Sequence, residues 1–153
     1  MSENVVFRSA YRDDLPAIVR MLADDELARS RETTSPDSAD VYSAAFEAID
    51  RDNNNHLIVG LVDDMVIAVL QLTFIPNLTY SGGWRAQIEG VRVERSLRGE
   101  GIGHKLIAYA IDRARGRRCA IVQLTTDKRR PDVVSFYESL GFRASHEGMK
   151  LWL

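Results

Sequence analysis

The stretch Val91-Arg92-Val93-Glu94-Arg95-Ser96-Leu97-Arg98-Gly99-Glu100-Gly101-Ile102-Gly103-His104 constrains the fold more than any other part of the sequence. A run of strand character from Gln87 to Glu94 enters a turn with glycines at 99, 101 and 103 and leaves it as an amphipathic helix. Ile102, Leu106, Ile107, Ala110, Ile111 and Ala114 mark one stripe of that helix. Without side chains at the glycines, backbone N–H groups can converge on one point, where the helix N-terminus adds its positive dipole end. A pyrophosphate suits such a turn, and so does a plain tight connection between strand and helix. The P-loop ends in Gly-Lys-Ser/Thr and the dinucleotide fingerprint reads G-x-G-x-x-G; His104 and Leu106 break both, so ATP and NAD are weak readings.

The rest of the chain alternates in the same way. Val5 to Ala10 reads as a strand, and Arg12 to Arg29 as a helix carrying Leu15, Ile18, Val19, Leu22 and Leu27, with Asp13 or Asp14 as its cap. A polar loop leads to a second helix over Ser38 to Arg51, and Asp63-Asp64 joins His56 to Val62 and Met65 to Phe74 as a hairpin. Pro76 to Gly83 is a loop, and Cys119 to Thr125 a buried strand that makes the cysteine a packed thiol. Pro131-Asp132 opens a helix over Val133 to Leu140 closed by Gly141, and Met149 to Leu153 forms a last strand. This order gives an α/β (α+β) fold, a mixed sheet with helices on both faces, in one domain spanning 1–153.

Composition narrows the function. Twenty basic against 22 acidic residues leave a net charge of −2, which argues against nucleic acid and anionic membranes as partners. The basic run Arg113, Arg115, Arg117, Arg118 most simply complements a helix C-terminus. The lone Cys119, with neither a membrane span nor a secretory start, points to a cytoplasmic protein. His56, His104 and His146 lie far apart in sequence, so no metal site is expected.

Arg98-Gly99-Glu100-Gly101-Ile102-Gly103 resembles the Q/R-x-x-G-x-G/A signature of the GNAT superfamily of acyl-CoA-dependent N-acyltransferases, and Ser135-Phe136-Tyr137-Glu138-Ser139-Leu140-Gly141-Phe142 resembles that superfamily's "FYEKLGF" segment. The resemblance implies a mostly antiparallel central sheet in which the strand at Val91 to Val93 splays from the one at Cys119 to Thr125. It implies acetyl-CoA as co-substrate, with the pyrophosphate on the amides from Gly99 to His104, Ile102 and Gly103 among them, and Arg98 as a further cofactor-binding residue. The pantetheine arm would pair with the backbone at Val91 and Val93. Tyr137 aligns with the family's general acid; a phenol of reference pKa roughly 10 carries its proton at neutral pH. Phe136 and Phe142 read as core aromatics.

A carboxylate on the strand entering the signature is the family's usual base, which points to Glu89; a salt-bridged strand residue is the bland alternative. Simple alternation puts Gln87, Glu89, Val91 and Val93 on one face, an order that a bulge would change. Around Ser145-His146 and Arg130 to Tyr137 the chain resembles aminoalkylphosphonate N-acetyltransferases, whose proposed base aligns closer to Gln87, a residue unable to accept the proton. Asp127 and Arg130 replace an asparagine common in relatives. Lys128, Arg129 and Arg130 are candidates for the 3′-phosphate of CoA or form a solvated basic loop, and His146 reaches the acceptor pocket or sits in a turn.

The acceptor is expected to be a small amine-bearing metabolite, met by the segments 23–38 and 76–85. There Asp24, Asp25 and Glu26 suit a cationic amine, Arg29 and Arg31 a carboxylate or phosphonate, and Tyr80 and Trp84 an apolar wall. The competing readings are a peptide or protein N-terminal/lysine acetyltransferase and a non-catalytic acyl-CoA-binding sensor domain. The apolar run Met149 to Leu153 serves either a homodimer contact or the core of its own chain.

Overall fold

The computed structural model describes residues 4–25 and 38–153, and the chain separates into two compact units, Met1–Gln123 and Leu124–Leu153. The first unit contains β1 (Val6–Ser9), α1 (Leu15–Ala23), α2 (Ala39–Arg51), β2 (Asn55–Val62), β3 (Met65–Ile75), β4 (Arg85–Val93), α3 (Ile102–Gly116) and β5 (Ile121–Gln123). The second contains α4 (Pro131–Ser139).

The strands lie in chain order, β1-β2-β3-β4-β5. Neighbours are antiparallel except β4 and β5, which are parallel because α3 carries the chain back across the sheet. The β2–β3 hairpin closes through Asp63 and Asp64, both at positive φ (48° and 63°), the sense of turn that matches the twist of paired strands and that aspartate tolerates. Alternation along β3 then divides the core. Ala68, Leu70, Leu72 and Phe74 are buried on the face that α3 covers with Leu106, Ile107 and Ala110. Val59, Leu61 and Val69 lie on the other face with Ile18 and Met21 of α1 and Phe46 of α2.

The helix expected from Arg12 begins as a 3-10 turn over Arg12–Asp14, and α1 starts at Leu15 with Pro16 in its first turn. Neither aspartate caps α1 through its side chain. Asp14 instead accepts the Tyr11 N–H at 2.6 Å and a two-pronged bond from Arg8 at 2.7 and 3.1 Å. Burial pushes its pKa up, but the Arg8 and Tyr11 bonds outweigh that and hold it below the usual carboxylate range. Leu27 and the rest of 26–29 lie outside the described residues.

One expected strand is shorter and another is missing. Cys119 precedes β5 rather than lying in it; its N–H bonds the Ala114 carbonyl at 3.0 Å, and partial burial pushes its thiol pKa up, against a reactive thiolate. The segment Met149–Leu153 forms no strand: its side chains are exposed, and among the described residues no strand is hydrogen-bonded beside it. Apolar β-favouring residues do not make a strand without a neighbour's N–H and C=O groups.

In the second unit, Gly141 closes α4 at φ +94°, with its own N–H on the Glu138 carbonyl (3.0 Å) and the Phe142 N–H on that of Tyr137 (3.1 Å). Tyr137 is buried, its ring edge-on to Phe136 and Phe142 at centroid distances of 5.0 and 5.6 Å.

Candidate active site

The glycine turn follows β4 through a 3-10 turn at Arg95–Leu97. Arg98 folds its guanidinium back, donating from Nε to the Val93 carbonyl at 3.1 Å. Gly99 and Gly101 both adopt the left-handed region (φ +83° and +82°), where a side chain is strained, and a Cβ on either would meet nothing within 4 Å. The turn is therefore open. Ile102, buried against the sheet, pins the start of α3, and the exposed His104 follows in its first turn, where helix amides point out of the N-terminus. A diphosphate needs such a set: several N–H donors, a favourable dipole and no side chain in the way.

β4 and β5 part beside this turn. Arg85, Ala86 and Gln87 pair with Ile121, Val122 and Gln123, and from Ile88 to Val93 β4 runs on without a β5 partner. A strand that outruns its neighbour is the kind of backbone an extended ligand pairs with as an added strand.

A bulge then corrects the expected alternation. Gln71 pairs with Glu89 and Val69 with Arg92, so Gly90 and Val91 together stand opposite Leu70. Gly90 sits at φ +61°, the conformation such a bulge requires. Paired residues share a face, so Glu89 lies with Gln87 and Arg92, while Val91 and Val93 turn to the opposite face with Ala68. An isolated glycine inside a strand pattern was the available signal.

The face that carries Glu89 also carries residues that sequence reasoning missed. Asn55 Oδ1 accepts from Gln71 Nε2 (3.1 Å) and Thr73 Oγ1 (2.6 Å). Gln123 Nε2 donates to Gln87 Oε1 (2.7 Å), and Gln123 Oε1 accepts from Arg85 (3.3 Å). Together these half-buried amides form a polar floor across β2 to β5, with Glu89 exposed upon it. Polar residues at i and i+2 in an otherwise apolar strand, Gln71 and Thr73, were the signal for a polar patch on this face.

At one side of this floor the chain turns through Tyr80, Ser81 and Gly82, all left-handed (φ 53°, 57° and 74°). Arg85 holds the turn, donating to Thr79 Oγ1 at 3.0 Å and lying over the Tyr80 ring at 5.5 Å. Tyr80 and Trp84 are both exposed. Consecutive left-handed residues cost roughly 1–2 kcal/mol each, strain of the kind that gathers at functional loops.

Asp24 and Asp25 do not stand free to meet a cationic amine. Asp24 takes two bonds from Arg95 (2.9 and 3.2 Å), and Asp25 lies 3.7 Å from Arg92, both side chains of that pair being largely buried. These ion pairs fasten the end of α1 to β4 and the turn after it. Glu26, Arg29 and Arg31 lie outside the described residues. In the second unit Lys128 pairs with Glu147 (3.0 Å) and Arg129 with Asp127 (2.6 Å), which holds Asp127 well below the usual carboxylate range through the Arg129 hydrogen bonds. His146 is exposed, its Nδ1 2.7 Å from Ser145 Oγ. Among the described residues no three His, Cys, Asp or Glu side chains gather as metal ligands, and no helix is long and apolar enough to cross a membrane.

A mostly antiparallel sheet whose one parallel pair separates beside a glycine turn at a helix N-terminus defines an acyl-CoA-dependent N-acyltransferase fold. Residues 17–142 match the family described as Acetyltransferase (GNAT), and the chain belongs to that family. It is 29% identical over 105 residues, 69% of this chain and 68% of the other, to the aminoalkylphosphonate N-acetyltransferase of Salmonella typhimurium. With the glucosamine 6-phosphate N-acetyltransferase of Trypanosoma brucei brucei it shares 34% identity over 86 residues, 56% of each protein, so the chain spans little more than half of that relative. A solved structure described as a transcriptional regulator from Bacillus halodurans C-125 superposes with a TM-score of 0.95 at 50% identity, covering 98% of this chain and all of that one.

Proposed function

We propose that the chain transfers the acetyl group of acetyl-CoA to the primary amine of a small polar metabolite by direct attack. The observation that carries this reading is the parting of β4 from β5 beside the open glycine turn, over a floor of amides around one exposed carboxylate. Acetyl-CoA supplies the thioester. The amides from Gly99 to His104 hold its diphosphate, Gly103 included, and Arg98 shapes the turn from its bond to Val93. Backbone groups at Val91 and Val93 take the pantetheine arm, and an N–H near Val93 faces the carbonyl oxygen as negative charge develops on it.

An alkylammonium must lose a proton before its nitrogen attacks, and the departing sulfur must gain one. Glu89, exposed on the floor, accepts the first through a water. Tyr137 supplies the second to the thiolate as the C–S bond breaks; this role rests on the family segment in which it stands. Uncharged amides at 55, 71, 87 and 123 suit hydroxyls and other neutral polar groups, and the two curated relatives are described as acting on a phosphonate-bearing amine and on an amino sugar phosphate. A second reading, an acyl-CoA-responsive binding domain, is favoured by the description of the Bacillus halodurans relative.

Release of CoA thiol across a panel of amino sugar phosphates, aminoalkylphosphonates, polyamines and short peptides tests both. Turnover is expected with one small-molecule class. Tyr137→Phe should lower kcat about 10²–10⁴-fold with acetyl-CoA affinity kept, and Glu89→Gln should flatten the acidic limb of the pH–rate profile. Binding of acetyl-CoA without turnover on any acceptor would transfer the assignment to the second reading, and turnover on peptides alone would replace the acceptor class.

A further inference from the structure

Among the half-buried arginines of the first unit, Arg8 has Asp14 at 2.7 Å and Arg92 has Asp25 at 3.7 Å, while Arg113 stands in the last turn of α3, where the helix dipole favours a cation. Arg85 has neither kind of compensation. It is the first residue of β4, set between Ile75 of β3 and Ile121 of β5. Among the described residues its hydrogen bonds run to two neutral oxygens, Thr79 Oγ1 at 3.0 Å and Gln123 Oε1 at 3.3 Å, and its buried Nε meets no acceptor. A guanidinium partly removed from water among neutral partners loses hydration and gains no ion pair. The arrangement suits a site whose counter-charge arrives with a ligand, and the planar fork of an arginine matches a phosphate, phosphonate or carboxylate.

We infer that Arg85 binds an anionic group on the acceptor, remote from the amine that is acetylated. The inference deepens the acetyl-transfer reading and rests on it for the amine. Alternation before the bulge at Gly90 puts Arg85, Gln87 and Glu89 on one face, with about 13 Å of strand from the first to the last. Gln123 links the row, accepting from Arg85 and donating to Gln87 at 2.7 Å. A water at Glu89 and the ion contact at Arg85 take up part of that span, and the rest separates the amine from the anion by several bonds. An α-amino acid, whose amine and carboxylate share one carbon, is too short. An amine carrying its anionic group at the far end of a polar chain or ring fits, with the amides at 87 and 123 meeting the neutral polar groups between.

Matched acceptors test this with the full chain and acetyl-CoA: glucosamine 6-phosphate against glucosamine, and 3-aminopropylphosphonate against propylamine. The anionic member of a pair should be acetylated with a kcat/KM about 10–100-fold above that of its neutral partner, the range of a charged hydrogen bond. Arg85→Gln should collapse that ratio, chiefly by raising KM for the anionic member, and Arg85→Lys should restore part of it. No preference in the wild type, or a ratio kept in Arg85→Gln while both members slow alike, as loss of a purely structural arginine predicts, would overturn the anion site and leave acetyl transfer standing. If no member of either pair turns over, binding decides. Methylphosphonate should then raise the Tm of the wild type by on the order of 2 °C more than that of Arg85→Gln, a difference in which any binding at the glycine turn cancels. Equal shifts would overturn the anion site, whereas a shift dependent on Arg85 without turnover would keep it and count against acetyl transfer alone.

Discussion

Alternate residues of the same strands build two differently finished faces on the sheet. Under α3 the apolar surface is continuous from Ile58 through Leu70 and Leu72 to Ala86 and Ile88, all buried. On the other face the apolar surface of Val59, Leu61 and Val69 stops where α1 and α2 stop, and Asn55, Gln71, Thr73, Gln87 and Gln123 replace it. A sheet that needed only stability would continue the apolar pattern and cover it, since half-buried amides add little net stability even when satisfied. Among the described residues of the first unit the amide row marks where the apolar cover by α1 and α2 ends, and Glu89 and the strained turn at Tyr80 and Ser81 belong to that same region.

The largest expected effect lies at the glycine turn, beside the polar face. Gly101→Glu places a carboxylate on the open cradle and forces a side chain into a left-handed residue, so acetyl-CoA affinity should fall at least about a hundredfold, roughly 2.7 kcal/mol. Calorimetric titration measures it, and an affinity equal to wild type would remove the turn from cofactor binding. The next two changes set one face against the other. Leu106→Ala, at a fully buried position under α3, should cost about 2–5 kcal/mol of stability while acetyl-CoA affinity persists in the folded fraction. Gln87→Ala removes the acceptor of the Gln123 amide and should change stability by no more than about 1 kcal/mol, yet raise the acceptor KM on the order of tenfold. Equal stability losses from the two variants would erase the contrast between the faces.

What the sequence displayed and what it hid divide along the range of the interactions. The glycine turn, the stripe of α3, the β2–β3 hairpin and Gly141 after α4 are local: the residues that make them are neighbours in the chain, and their chemistry points one way. The bulge at Gly90 is local too, but alternation assumes an unbroken ladder, and one extra residue moved Val91 and Val93 off the Glu89 face. The pairing of Asp24 with Arg95 joins residues far apart in sequence and could not be read from either. The floor is of the same kind, since Asn55, Gln71 and Gln123 come from separate strands and only the register brings them together. Met149 to Leu153 has the composition of a strand, but strand formation depends on a partner that composition does not supply.

The smallest effect belongs to the end of the sheet away from the glycine turn. There a pocket of about 280 Å³ is lined by Phe46, Asp50, Asn53, His56 and Arg117, and it adjoins the amide floor through Asn55. His56 contacts the Phe74 ring edge-on, with Arg113 3.4 Å from its Nδ1 and Arg117 3.4 Å from its Nε2. Burial lowers its pKa and the charge of Arg113 and Arg117 lowers it further, against the raising effect of the Asn53 carbonyl and Asp52. The neutral ring is the form that fits, whereas the unfolded chain binds a proton near pH 6.5. The stabilisation is therefore complete above that pH and lost as pH falls through the lower folded-state value. His56→Gln keeps a neutral polar group and removes the titration, so the wild-type advantage in Tm should shrink on going from pH 7.5 to pH 5 by on the order of 2 °C. Parallel Tm profiles for the two proteins would show that the ring carries no such linkage. A shift in kcat with acetyl-CoA and acceptor saturating would instead tie this end of the sheet to the face that carries Glu89.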